Sequence, residues 1–249
     1  MTVPLNIGHR GAMALAPENT LAAFAQARAL GADGIEFDVQ LSRDGQIVVI
    51  HDERVDRTTN GRGRVADLTL AELKALDAGS WFDPRFSGER IPTLQETFDL
   101  IGAEMLLNIE LKSMVRQAHP AGAGGDDGLA AAVVECARRN GRIASVLVSS
   151  FDFSALRRVR ALDPRLRIGL LFDAPLDDTS VADLKAEAVH PRWSLVTEQL
   201  VEQAHARGQQ VNVWTVNEPD AMRRMAALGV DAIMTNFPHV LKTVLAFTR

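Results

Sequence analysis

Residues 31–51 read Gly-Ala-Asp-Gly-Ile-Glu-Phe-Asp-Val-Gln-Leu-Ser-Arg-Asp-Gly-Gln-Ile-Val-Val-Ile-His, and the architecture is read outward from them. Gly34 to Val39 has the apolar, β-branched composition of a short strand. Ser42-Arg43-Asp44-Gly45 is a turn signal between Ile35–Leu41 and Gln46–Ile50, so the strand continues into an antiparallel hairpin instead of entering a helix at once. Side chains alternate along a strand, so residues two apart share a face about 6.6 Å apart. Glu36 and Asp38 therefore point the same way. With the turn near Arg43-Asp44, residues whose numbers sum to about 87 face each other, which predicts His51 opposite Glu36.

Seven further strand candidates lie at Leu5–His9, Leu106–Glu110, Ser145–Ser149, Arg167–Leu171, Ala186–His190, Val211–Thr215 and Asp231–Thr235. Helical stretches separate them. Pro17-Glu18-Asn19-Thr20 opens one that Gly31 stops, and Thr93 caps Leu94–Ile101. Leu129–Arg139, Phe153–Leu162, Asp178–Ala186, Thr197–Ala206, Glu218–Leu228 and Pro238–Phe247 complete the set. Repeated strand–helix units favour parallel pairing, because each parallel connection needs a crossover that a helix supplies. Eight units within 249 residues match an α/β fold of the closed (β/α)8 TIM-barrel type. A doubly wound open sheet would want Gly-x-Gly-x-x-Gly after its first strand, which the chain lacks. The segment from Asp52 to Pro92 carries only a short helical piece, Leu70–Leu76, and a loop with Trp81, Phe82 and Phe86. The expected organisation is one barrel domain over residues 1–249, with residues 52–93 as a small inserted subdomain capping the barrel mouth.

Composition narrows the function. Hydrophobic residues at 47% and charged residues at 24% give a chain able to bury a sizeable core, which excludes disorder and a collagen-like fibre. The net charge of −5 repels nucleic acid and anionic membranes, so any bound phosphate needs local cations. No apolar run reaches the ~18 residues of a spanning helix, and no stable membrane insertion is expected. The single cysteine, Cys136, excludes an internal disulfide and a cysteine-based zinc cluster, and fits a reducing compartment, so the expected location is cytoplasmic.

In a barrel of this type the active site lies at the C-terminal ends of the strands. There stand His9 and Arg10, Glu36 and Asp38, Asn108, Glu110 and Lys112, and Asn212 and Trp214. Three carboxylates aimed into a small volume repel one another and lose ionisation unless a cation sits among them. Oxygen ligands without cysteine select one divalent cation, Mg²⁺ or Ca²⁺ over zinc, with Mn²⁺ also compatible. Two imidazoles, a divalent cation and the charges of Arg10 and Lys112 suit phosphoryl chemistry, one histidine accepting and the other donating a proton. Simpler readings stand beside this: Arg10 partnering Glu18 across the first loop, Glu110 and Lys112 as an internal ion pair, and Cys136 as core; His190, before Pro191, is read as a pocket residue.

His9-Arg10-Gly11, Pro17-Glu18-Asn19-Thr20, Gly31–Val39, Asp44-Gly45 and Val48-Val49-Ile50-His51-Asp52 together resemble the glycerophosphodiester phosphodiesterases, bacterial cytoplasmic type. The likeness continues through Thr58–Gly61, Leu76–Phe82, Ile91–Leu94, Asn108–Lys112, Ser149-Ser150-Phe151 and Val213–Asn217, nearly the whole chain. It implies a barrel with a small insertion that hydrolyses glycerophosphodiesters, such as glycerophosphocholine, to an alcohol and sn-glycerol 3-phosphate. By this likeness Glu36, Asp38 and Glu110 are metal ligands, His9 and His51 the acid and base, Arg10 and Lys112 phosphate contacts, and Trp214 the aromatic near the glycerol moiety. Asn236 stands where the family often has Asp, and Ser113–Gly128, rich in glycine, is expected to shape the leaving-group side. The rival readings are a phosphodiesterase acting on lysophospholipids, favoured by a greasy groove near Trp81, Phe82 and Phe86, and a non-catalytic metal- and phosphate-binding barrel. The expected partner is a small-molecule glycerophosphodiester. Barrel helices often support homodimers, and no surface stripe decides the point.

Overall fold

In the computed structural model, which describes residues 3–102, 104–112, 127–176 and 182–246, eight parallel strands close on themselves. They are β1 (Leu5–His9), β2 (Gly34–Leu41), β4 (Leu106–Leu111), β5 (Val146–Ser150), β6 (Arg167–Phe172), β7 (Ala188–Pro191), β8 (Gln210–Val213) and β9 (Ala232–Thr235). β1 pairs with both β2 and β9, which closes the ring as the sequence predicts. Strand β3 (Ile47–Val49) stands outside it, antiparallel to β2.

Helices pack on the outer face, and several begin where the sequence supplies a cap. Thr20 caps α1 (Leu21–Ala29) by accepting from the amide of Ala23, and α1 buries Ala23, Phe24 and Ala27. Phe24 meets Phe37 of β2 with ring centroids 5.4 Å apart. Thr93 and Glu96 form a reciprocal capping box on α3 (Leu94–Leu100). The outer layer continues through α4 (Asp127–Arg139), α5 (Phe153–Leu162), α6 (Glu198–Ala206), α7 (Pro219–Ala227) and α8 (Pro238–Ala246). Cys136 of α4 is buried, as expected of a core residue. No helix among the described residues is long and apolar enough to cross a membrane.

Two expectations need correction. Between β6 and β7 the described residues hold only a 3-10 turn, Ala182–Leu184, where a helix over Asp178–Ala186 was predicted. Lys185 adopts a φ of 45°, a left-handed conformation that stops helical continuation. Residues 178–181, and residues 113–126 of the glycine-rich stretch, lie outside the described residues. The hairpin pairs Val39 with Val49, Gln40 with Val48 and Leu41 with Ile47, sums of 88, one residue off the predicted register. His51 is therefore not opposite Glu36. The ladder ends at Val49, the Ile50 amide still donates to the Asp38 carbonyl at 3.0 Å, and His51 follows beyond it.

The segment that follows contains a 3-10 turn (Val65–Asp67), α2 (Leu70–Ala75) and a second 3-10 turn (Pro84–Phe86). Val55, Val65, Leu73, Ala78 and Ile91 bury a small apolar cluster against Val48 and Ile50 of the hairpin. That satellite core lets the segment keep a fixed shape beside the strand ends.

Candidate active site

Register brings the predicted acids together. His9 pairs with Glu36, Glu36 with Asn108 and Asp38 with Glu110, so these side chains enter the barrel interior at neighbouring levels. Glu36, Asp38 and Glu110 are 3%, 1% and 8% exposed, and one carboxylate oxygen from each lies within 4.8 Å of the others. Burial, together with the charges of Asp38 and Glu110, raises the Glu36 carboxyl well above the usual range. Burial likewise takes Glu110 to about 7, against the pull of Lys112. Burial would also raise Asp38, but Lys112 and Arg10 outweigh it and hold that carboxyl down.

The cations sit against the same acids. Lys112 Nζ lies 2.6 Å from Glu110 Oε1 and 3.1 Å from Asp38 Oδ1, so the internal ion pair read as the simple alternative is present. Arg10 Nη1 reaches Glu18 Oε1 at 2.7 Å, the other simple pairing, while its Nε stands 3.3 Å from Asp38 Oδ2. Arg10 has a φ of 51°, and from that left-handed conformation its backbone amide donates to Glu36 Oε2 at 3.1 Å.

The donor set fits a hard divalent cation. It is all oxygen, anionic and buried. Asn108 Oδ1, beside these acids, is a buried oxygen with no hydrogen-bond donor among the described residues, and Lys112 is the ion-pair partner of Asp38 Oδ1. Glu36, Asp38 and Glu110 would hold the ion.

The two histidines have different partners. His9 Nδ1 lies 2.7 Å from Asn236 Oδ1; the amide oxygen accepts, which puts the ring proton on Nδ1 and leaves Nε2, 3.9 Å from Glu36 Oε2, as the basic nitrogen. Burial and then the Arg10 charge bring His9 down to about 4. His51 Nδ1 lies 2.6 Å from Asp52 Oδ1, an ionised partner instead of a neutral one. Burial lowers His51, partly opposed by Asp38. The hydrogen bonds of Arg57 take Asp52 itself down to about 2. Gln40 Nε2 lies 3.0, 3.1 and 2.8 Å from the carbonyls of Ile50, His51 and Asp52, which fastens the segment after the ladder ends.

His9, Arg10, Glu36, His51, Asn108, Glu110 and Lys112 line a cavity of about 110 Å³ whose other walls include Trp214, Phe151 and Leu171. Trp214 donates its indole N–H to the His190 carbonyl at 2.7 Å and meets Phe151 edge-to-face at 5.5 Å. Phe151 is 45% exposed at the rim. His190 itself does not line the cavity: it is fully buried, receives a hydrogen bond from Asn212 at 3.1 Å, and is taken by burial to about 3. Trp81 meets Phe82, and Phe82 meets Phe86, edge to face in the segment after the hairpin.

Sequence reading missed three residues. Asn19, with a φ of 56°, donates to Asp38 Oδ2 at 2.8 Å and steadies the acid from the first loop. Glu18 partners Arg10 as considered, but Arg57 also holds it, and neither Arg57 nor Asp52 stood out as a site residue. Their one signal was proximity to His51 in sequence.

A closed parallel barrel with acids, histidines and cations at the C-terminal strand ends is the arrangement of a barrel enzyme. The profile of the Glycerophosphoryl diester phosphodiesterase family matches residues 9–240, and the chain belongs to that family. It is thus a phosphoric diester hydrolase. A glycerophosphodiester phosphodiesterase of Caldanaerobacter subterraneus subsp. tengcongensis is 45% identical over 240 residues, covering 95% of this chain and 96% of the relative. One from Bacillus subtilis is 33% identical over 256 residues, covering 96% and 86%. The solved structure of an Oleispira antarctica phosphodiesterase in complex with the product sn-glycerol-3-phosphate superimposes with a TM-score of 0.90 at 34% identity, covering 98% and 97% of the two chains.

Proposed function

We propose that the chain hydrolyses glycerophosphodiesters such as glycerophosphocholine to an alcohol and sn-glycerol 3-phosphate, with His9 and His51 moving the protons. The observation that carries this reading is the unequal partnering of two imidazoles beside one buried tri-carboxylate: a neutral amide on His9, a carboxylate on His51. Mg²⁺ or Ca²⁺, with Mn²⁺ compatible, held by Glu36, Asp38 and Glu110, would polarise a phosphoryl oxygen and favour ionisation of an attacking hydroxyl.

Neutral His9 is set to accept, since Nδ1 is already protonated toward Asn236. The glycerol 2-hydroxyl oxygen bonds to phosphorus and its proton passes to His9 Nε2. The bond from phosphorus to the head-group oxygen breaks, and that oxygen takes a proton from His51 Nε2, whose imidazolium form Asp52 stabilises. Water then opens the cyclic phosphate with the proton transfers reversed. Arg10 and Lys112 contact the phosphoryl oxygens, and Trp214 lies against the glycerol carbons. The insertion, residues 52–93, walls one side of the mouth next to His51. The buried single cysteine supports a cytoplasmic setting.

The test is coupled detection of sn-glycerol 3-phosphate released from glycerophosphocholine, with and without chelator, for wild type, His9→Ala and His51→Ala. Each substitution is expected to cost about 10²- to 10⁴-fold in kcat. Undiminished turnover in a variant removes that histidine, and full activity after chelation removes the cation. Lysophosphatidylcholine as a parallel substrate decides the lysophospholipid alternative, and phosphate binding without turnover would leave a non-catalytic barrel.

A further inference from the structure

We propose that Arg57 is a positioning residue that ties the His51 imidazole to the Arg10 guanidinium, so that one arginine of the insertion holds the proton donor and a phosphate contact in a shared geometry. This rests on the roles given above to His51 and Arg10.

The single guanidinium engages two carboxylates. Its Nε lies 2.6 Å from Asp52 Oδ2 and its Nη2 3.1 Å from Asp52 Oδ1. On its other edge, Nη1 lies 2.8 Å from Glu18 Oε2 and Nη2 2.8 Å from Glu18 Oε1. Each carboxylate is shared with a site residue: Asp52 Oδ1 with His51 Nδ1 at 2.6 Å, and Glu18 Oε1 with Arg10 Nη1 at 2.7 Å. Arg10 in turn reaches Asp38 at 3.3 Å. The order His51, Asp52, Arg57, Glu18, Arg10, Asp38 alternates in charge, and each member fixes the next.

Arg57 is 46% exposed on its side chain, and an isolated ion pair at that exposure contributes little to folding. Its consequence lies in what it holds. Glu18 is only 6% exposed, and burial alone would raise its carboxyl; Arg57 and Arg10 outweigh that and keep it ionised. Lysine cannot replace the arrangement, because one ammonium does not present the planar fork that serves two carboxylates at once. The backbone carrying Arg57 is itself anchored. Val55 is fully buried, Thr59 Oγ1 donates to the Val55 carbonyl at 2.8 Å, and Asp56 accepts from the Gly63 amide at 2.9 Å.

The experiment measures kcat and KM for glycerophosphocholine at saturating Mg²⁺ in wild type, Arg57→Ala, Arg57→Lys, Asp52→Asn and the Asp52→Asn/Arg57→Ala double variant, with thermal unfolding of each. Arg57→Ala is expected to lower kcat about 10- to 100-fold through His51 and to raise KM several-fold through Arg10, with Arg57→Lys restoring only part. If Arg57 acts through Asp52, the double variant falls within about threefold of Asp52→Asn in kcat. Multiplying effects in the double variant, or full kcat and KM in Arg57→Ala, overturn the proposal. Should wild type release no glycerol 3-phosphate, the proposed activity fails, and the tether is judged separately by NMR of the His51 Nδ1 proton. That resonance should stand far downfield in wild type and move or vanish in Arg57→Lys, the variant that also serves if Arg57→Ala does not fold. An unmoved resonance overturns the proposal.

Discussion

Replacing Asn236 by Asp exchanges a neutral acceptor for a negative one at 2.7 Å from His9 Nδ1 and changes little else nearby. The loop geometry should persist, because the Asn236 amide donates to Asn217 Oδ1 at 3.0 Å and the Phe237 amide to Thr235 Oγ1 at 3.1 Å through backbone groups. His9 titrates at about 4 in the wild type because burial and Arg10 disfavour its charged form. An adjacent opposite charge raises such a pKa by roughly 1–3 units, or about 1.4–4 kcal/mol. The sign follows from the proposed role: a base must be unprotonated, so activity should be lost as pH falls through the His9 pKa. At pH 5.5 the neutral fraction of His9 is about 97% in wild type and between about 75% and 3% in Asn236→Asp. The assay is kcat/KM for glycerophosphocholine from pH 4 to 7, which reports ionisations of the free enzyme. The acid limb should move up by roughly 1–3 pH units in the variant. A limb that stays in place, or moves down, refutes the assignment of His9 as the base.

Two further outcomes follow from the same geometry. Glu110 titrates at about 7 and Glu36 is raised, so near pH 6.5 the cluster carries protons that a cation displaces. Mg²⁺ titrated calorimetrically in two buffers of different ionisation enthalpy should release about one proton per ion and bind more weakly as pH falls; zero release contradicts the assigned ligands. In the barrel, a Cβ on Gly169 would meet His190 Nε2 at 2.4 Å. Gly169→Ala should therefore destabilise by about 1–3 kcal/mol through overpacking, visible as an earlier denaturant midpoint at unchanged slope.

Much of the site was legible because it follows from a period of two. Glu36 with Asp38, and Asn108 with Glu110, share a face in any strand, and parallel pairing of successive strands carries those faces into one barrel mouth. Pro17–Thr20 and Thr93 announced helix starts through capping chemistry, which is local. The hairpin shows where this stops. Its pairs sum to 88 and not 87, and a slip of one residue turns every side chain to the opposite face, so strand arithmetic misplaced His51 while its identity stood out. Gln40, by gripping three carbonyls after the ladder ends, sets where that histidine goes.

The sequence by itself determined the repeating strand–helix order and the residues able to carry phosphoryl chemistry, since these depend on periodicity, caps and residue type. Only the tertiary structure decided the partners. Glu18 and Arg57 lie 39 positions apart and Asn236 lies 227 from His9. Such side-chain pairings have no sequence period and arise only when barrel closure and the small apolar cluster around Val55 and Leu73 bring distant loops together. The same closure separates two otherwise similar histidines, because the charge of a partner such as Asn236 or Asp52 matters only at contact distance.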